Sequence, residues 1–179
     1  LTVSPPEAII NPDGLSETGG IEMAKCLVVY YSRTGTTQAL ADAVAEQLAC
    51  PAERLVDRKS RRGMLGFLRA GIDAARKRGT EIEPPQNAPG ECDLVVIGTP
   101  VWAGTMSCAV RAYIAQHRGK FRNVGFFLTT GGSGIKGTFA QMEELSGLPP
   151  RAVLGVRTKD FRRHGCTEEI RRFVRELQS

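Results

Sequence analysis

The sequence predicts an α/β domain: a three-layer, doubly wound sheet of five parallel strands. Two observations carry this. Short continuous apolar runs, such as KCLVVYY at 25–31 and DLVVIG at 93–98, have the composition of strands buried on both faces. They alternate with segments whose apolar residues recur at helical spacing, the pattern of βα units joined by right-handed crossovers. A length of 179 residues suits one such domain, alone or with a tail.

Residues 1–22 contain Pro5, Pro6, Pro12 and the turn sequence Asn11-Pro12-Asp13-Gly14 without periodicity, so they read as an N-terminal arm preceding a domain at 23–179. Met23 directly precedes the first strand and is a candidate natural start. The first helix is expected over 37–48, with Leu40, Ala41, Val44, Ala45 and Leu48 on one face. A short edge strand is expected at 54–57 and a helix at 63–77. A proline-marked loop (Pro84, Pro85, Pro89) then leads to the strand at 93–98. A helix at 107–117, a strand at 123–129, a short helix at 138–145 and a strand at 152–156 follow. The last helix is expected at 167–177, with Thr167 as its N-cap and Glu168 and Glu169 in its positive first turn.

Composition narrows the function classes. Hydrophobic residues make up 41% and charged residues 24%, which excludes disorder as the main state. There is no long apolar run and no basic-then-apolar leader, so neither membrane insertion nor a secretory signal is expected. Five cysteines without C-x-x-C spacing argue against a disulfide framework or a zinc site and fit the cytoplasm. No metal is expected, with only His117 and His164 as imidazoles, and no residue is assigned a catalytic role. Net charge is +5, and the arm holds four acids and no base. Eight basic residues and one acid, Asp73, lie between Arg58 and Arg78. That run reads first as a solvated helix face, and second as a surface for an anionic partner or nucleic acid. No aromatic interleaving or RNA-binding motif supports nucleic acid.

Ligands of doubly wound sheets bind beyond the carboxyl ends of the strands, which directs attention to three loops. After the first strand, Ser32-Arg33-Thr34-Gly35-Thr36-Thr37 offers hydroxyls and a glycine turn at a helix N-terminus, a setting for a phosphate monoester. No Walker lysine occurs there, so a nucleoside triphosphate with Mg²⁺ is not the expected guest. After the next central strand comes Thr99-Pro100-Val101-Trp102-Ala103-Gly104-Thr105, with the chain's one tryptophan placed to stack on a flat ring. Thr130-Gly131-Gly132-Ser133-Gly134 follows the fourth strand, and its glycines permit close backbone approach. The spacing Gly132-Ser133-Gly134-Ile135-Lys136-Gly137 matches a dinucleotide fingerprint but follows the wrong strand and lacks the later acid. Cys26, Cys92 and Cys108 read as structural, and Ser133 lacks the context of a hydrolase nucleophile.

In this order and placement the three segments resemble the flavodoxin-like family over about residues 25–178. The resemblance implies strand order 2-1-3-4-5, a non-covalent FMN cofactor and electron transfer. Ser32, Thr34, Thr37 and the amides of 33–37 would then hold the FMN phosphate. Residues 99–104 would line the ring, with Trp102 stacking, and 130–134 would approach its polar edge. A backbone carbonyl near flavin N5 would come from Ala103 or Gly104. Departures are the basic charge, where electron-carrying flavodoxins are acidic, and a third loop without the usual Asp and aromatic. The expected partner is a redox protein or a small quinone-like acceptor, and a homodimer is compatible with the chain. An NAD(P)H-dependent quinone reductase is the alternative enzyme role, and a non-redox binding module with a basic face is the alternative of another class. A flavodoxin-like protoporphyrinogen oxidase is disfavoured, because an inserted segment found near the third loop of some members is missing.

Overall fold

A computed structural model describes residues 25–58 and 80–179. The expected arm, Met23, the helix expected at 63–77 and all but Arg58 of the basic run lie outside the described residues. Strand β1 (Cys26–Tyr30) leads to α1 (Thr36–Leu48) and β2 (Ala52–Arg54). Next come β3 (Leu94–Trp102), β4 (Thr105–Met106), α2 (Cys108–Gln116), β5 (Val124–Thr130) and α3 (Ile135–Ser146). The chain closes with β6 (Val153–Arg157), α4 (Thr158–His164) and α5 (Thr167–Gln178).

The main sheet runs β2-β1-β3-β5-β6, every neighbour parallel. With its five parallel strands counted in chain order, this is the expected 2-1-3-4-5. Alternating strand residues build two cores. Leu27, Val29, Tyr31, Val95, Ile97 and Phe126 face α2 and α3, while Val28, Tyr30, Val96, Phe127, Leu154 and Val156 face α1 and α5. Helix α5 inserts Ile170, Phe173, Val174 and Leu177, an i, i+3, i+4, i+7 stripe. Polar links fasten the opposite end of the sheet: Asp93 accepts the Lys25 backbone N–H at 2.9 Å and Arg122 at 2.8 Å. Among the described residues no helix is long and apolar enough to cross a membrane.

Several boundaries differ from expectation. The edge strand is Ala52–Arg54, not 54–57, because α1 ends in a left-handed turn at Ala49 and the chain pairs with β1 almost at once. Asp57 instead bridges antiparallel to Ile82, so the proline loop folds back over the edge. Glu53 anchors that loop by accepting the backbone N–H groups of Gln86 (2.5 Å) and Asn87 (3.0 Å).

Strand β3 continues four residues past Gly98, through Pro100. The Gly98 carbonyl accepts the Tyr31 N–H at 3.1 Å, so Pro100, two residues on, faces the same side. β1 has ended there, and the missing proline N–H costs no ladder bond. The hairpin to β4 was not expected; Ala103 and Gly104 form its two-residue turn, at φ 47° and 75°.

Helix α3 starts at Ile135 rather than 138. Helix α4 falls where no helix was expected, since Phe161 is its one large apolar residue and it is seven residues long. Thr167 does not cap α5: Cys166, in a left-handed conformation directly after the Gly165 turn, occupies that position, and Thr167 is the first helical residue.

Gly98 is where the central strands meet most tightly. A Cβ there would lie 2.0 Å from the Phe127 ring, itself fully buried. Gly98→Ala should therefore lower unfolding free energy by about 1–3 kcal/mol, read from the midpoint of a urea transition.

Candidate functional site

The carboxyl ends of β1, β3 and β5 open onto one cleft of about 260 Å³. Arg33, Thr34, Thr36 and Thr37 line it from the first loop, Pro100, Val101 and Trp102 from the second, and Thr129, Thr130 and Gly131 from the third. Its volume is below the about 300–1,000 Å³ of pockets that engulf a whole small ligand, so a larger guest keeps an edge in solvent.

The first loop is shaped by its own bonds. Ser32 is buried, and its Oγ accepts the Gly35 N–H at 3.2 Å, which tightens the turn rather than facing the cleft. Gly35 sits at φ 89° as the N-cap of α1, a conformation that disfavours side chains. Having no side chain, it leaves the first N–H groups of α1 uncapped and directed outward. Thr37 Oγ1 and Thr129 Oγ1 lie 2.7 Å apart and tie the first loop to the end of β5. Arg54 braces the other side by donating to the Ser32 carbonyl at 2.9 Å. Thr34 is exposed, and Thr36, also lining the cleft, is buried.

In the second loop Thr99 is fully buried: its Oγ1 accepts the Ser107 N–H at 3.0 Å and donates to the Pro100 carbonyl at 3.0 Å. Its role is to hold the hairpin. Trp102 is half-buried, with its ring edge-on to Tyr31 (5.6 Å between centroids, 88° between planes). That contact orients the indole at the mouth of the cleft. Ala103 and Gly104 stand exposed at the hairpin tip.

The third loop is a tight turn in which the Thr130 hydroxyl donates to the Ser133 carbonyl (2.8 Å) and accepts the Gly132 N–H (3.2 Å). Gly132 and Ser133 are exposed beside the cleft. Gly134 also has a packing task. A Cβ on it would lie 2.9 Å from Gly104 Cα, so its bareness lets the second and third loops touch. Thr138 Oγ1, donating to the Gly104 carbonyl at 3.4 Å, closes the same contact.

The sequence reading missed Thr129, and it missed two residues of α4. Thr158 lines the cleft, and Arg162 Nη2 donates to Thr36 Oγ1 at 3.3 Å. Thr129 was visible only as the last residue of a strand. Away from the cleft, the interaction of the Cys26 and Cys50 thiols pushes that of Cys26 up and draws that of Cys50 down. Burial raises the Tyr113 phenol, whose OH has no hydrogen-bond partner among the described residues. Cys108 is buried, as expected, and His117 and His164 sit at helix ends.

No protein-family model matches the chain, and no curated protein matches it. Solved structures do. A flavoprotein from Lactobacillus acidophilus, crystallised with FMN, superposes with a TM-score of 0.63 at 21% identity, covering 78% of this chain and 97% of its own. A candidate flavoprotein from Bacteroides uniformis gives 0.70 at 20% identity, over 85% and 98%. A WrbA-like flavodoxin from Agrobacterium tumefaciens gives 0.51 at 16% identity, over 87% and 98%. The fold is flavodoxin-like. At these identities the likeness speaks for architecture, and the strand order agrees with it.

The Thr37–Thr129 bond is testable by itself. Thr37→Val should cost about 1–3 kcal/mol, because it strands the Thr129 hydroxyl in a buried setting. The double variant with Thr129→Val should recover part of that loss in a double-mutant cycle of denaturant unfolding.

Proposed function

We propose that the protein is an FMN-binding redox protein that exchanges electrons through a flavin held at the carboxyl edge of the sheet. The single observation that carries this is the donor set at one end of the cleft, beside an oriented indole at its mouth. Uncapped N–H groups of α1 and the Thr34 and Thr36 hydroxyls meet where a phosphate monoester would bind. Trp102, locked by Tyr31, offers a face to a flat ring. The Lactobacillus acidophilus flavoprotein, which shares the fold, was crystallised with FMN, which supports the same guest here.

Bound FMN would supply one- and two-electron chemistry. The chain's own residues bind and orient it. The first loop takes the phosphate, and the second and third, joined at Gly104 and Gly134, form one rigid wall. Of the two carbonyls singled out in the hairpin, that of Gly104 already accepts Thr138, which speaks for Ala103 as the acceptor near the ring. The cleft's small volume leaves a ring edge open to a redox partner protein or a quinone-like acceptor. A reductase role fed by NAD(P)H rests on the same site and is read in the same assay.

The test is the visible spectrum of the purified chain with and without added FMN, then addition of NADPH. Flavin bands, and fluorescence quenching on titration, are expected. Thr34→Ala should weaken retention by about 10-fold, as loss of one bond to a charged oxygen does, and Trp102→Ala by up to about 10-fold with reduced quenching. Rapid NADPH oxidation would assign a reductase, and its absence a carrier. A colourless chain that ignores added FMN but binds DNA in a salt-dependent way would replace this reading with the basic binding module.

A further inference from the structure

We propose that Arg162 is a cationic ligand of the phosphate subsite, reaching it from α4, so that the site selects a flavin phosphate over the uncharged flavin partly by charge. This rests on the FMN reading above. The first loop, as a sequence, holds its anion with N–H groups and hydroxyls only, apart from Arg33. The structure adds a guanidinium from a distant part of the chain. β6 is the edge strand opposite β2, and α4 leaves it at Thr158, which lines the cleft. One turn later Arg162 extends over the start of α1, with Nη2 3.3 Å from Thr36 Oγ1.

Two features make this more than a chance surface contact. Among the described residues no carboxylate pairs with Arg162, so none of them neutralises its charge. Each of the four surface ion pairs described, Lys25–Glu91, Arg122–Asp93, Arg171–Glu168 and Arg172–Glu176, involves other cations. Second, the hydroxyl it donates to belongs to a buried threonine lining the cleft, beside the uncapped turn of α1. A guanidinium has five N–H groups in a planar fork, and one bond to Thr36 leaves donors for a phosphate oxygen. A dianionic phosphate at that point gains a charge-assisted bond that the uncharged dephospho compound does not.

The test titrates FMN and riboflavin, each followed by fluorescence quenching, into the flavin-free full chain at low and high salt. The proteins are wild type, Arg162→Gln and Arg162→Lys, with thermal melts to confirm folding. Expected is a loss of about 10- to 100-fold in FMN affinity for Arg162→Gln at low salt, the range of one hydrogen bond to a charged group. Riboflavin affinity should not change, the salt dependence of FMN binding should flatten, and Arg162→Lys should recover part of the loss. Inorganic phosphate should compete with FMN more weakly in Arg162→Gln than in wild type. Unchanged FMN affinity in Arg162→Gln would overturn the assignment while leaving the flavin site in place. Equal losses for FMN and riboflavin would also overturn it, in favour of a structural role for the residue. Wild type that binds neither flavin would instead remove the functional reading itself, and this inference with it.

Discussion

Parallel pairing across β1, β3, β5 and β6 sends all their carboxyl ends to one edge of the sheet, and the pairing register decides how far each projects. Tyr30 pairs with Gly98, Pro100 with Thr129 and Thr130 with Arg157. β1 therefore stops first. β3 and β5 run on past it, and the step they leave is the recess in which the first loop turns. The buried Thr37–Thr129 bond spans that step. Without the central strands held at this stagger, the hydroxyls of the first loop, the Trp102 hairpin and the glycine turn would not share a cleft. The bare backbone at Gly98 under the Phe127 ring belongs to the same constraint, because a side chain there would separate the strands where the stagger begins.

The architecture was legible in the sequence because apolar runs and helical stripes depend on local periodicity alone. The continuous apolar runs of β1 and of the first part of β3, and the Ile170–Phe173–Val174–Leu177 stripe of α5, could be read directly. What failed to show has a common physical cause: it depends on partners distant in sequence. Pro100 looks like a strand terminator until β1 is seen to have ended beside it. The β3–β4 turn carries an alanine at positive φ, where a sequence reading expects glycine or asparagine. α4 has too little apolar surface to announce itself. Its charges follow the helix dipole, with Asp160 in the first turn and Arg162, Arg163 and His164 in the last, but such ordering is common in loops too.

The site was legible as three segments rather than as a set of side chains. The sequence pointed to hydroxyls as ligands, yet a hydroxyl both donates and accepts, and in the structure several spend that capacity on the loops. Ser32 and Thr99 are the clearest cases, both buried and both holding backbone N–H groups. Their substitution would disturb the site by unshaping a turn. Thr34 and Thr36 line the cleft itself, so one hydroxyl-rich motif divides into scaffold, at Ser32, and cleft lining.

That division explains why the second and third loops matter as a pair. Ala103 and Gly104 at positive φ bend the hairpin back toward the glycine turn, and Gly134 lets the two backbones meet. Thr138 then ties α3 to the Gly104 carbonyl. Arg111 donates to Thr105 at 2.7 Å and to Gln141 at 3.1 Å, and Thr105 bonds Gln141 directly, so α2, α3 and the hairpin are joined at a second point. A wall fixed by two independent sets of bonds loses little conformational freedom when a flat ring docks against it. The ordering cost of binding then falls mainly on the exposed side chains of the first loop and on Arg162. The cleft thus has a rigid half suited to a ring and a polar, adaptable half suited to an anion, which is the asymmetry a flavin phosphate itself presents.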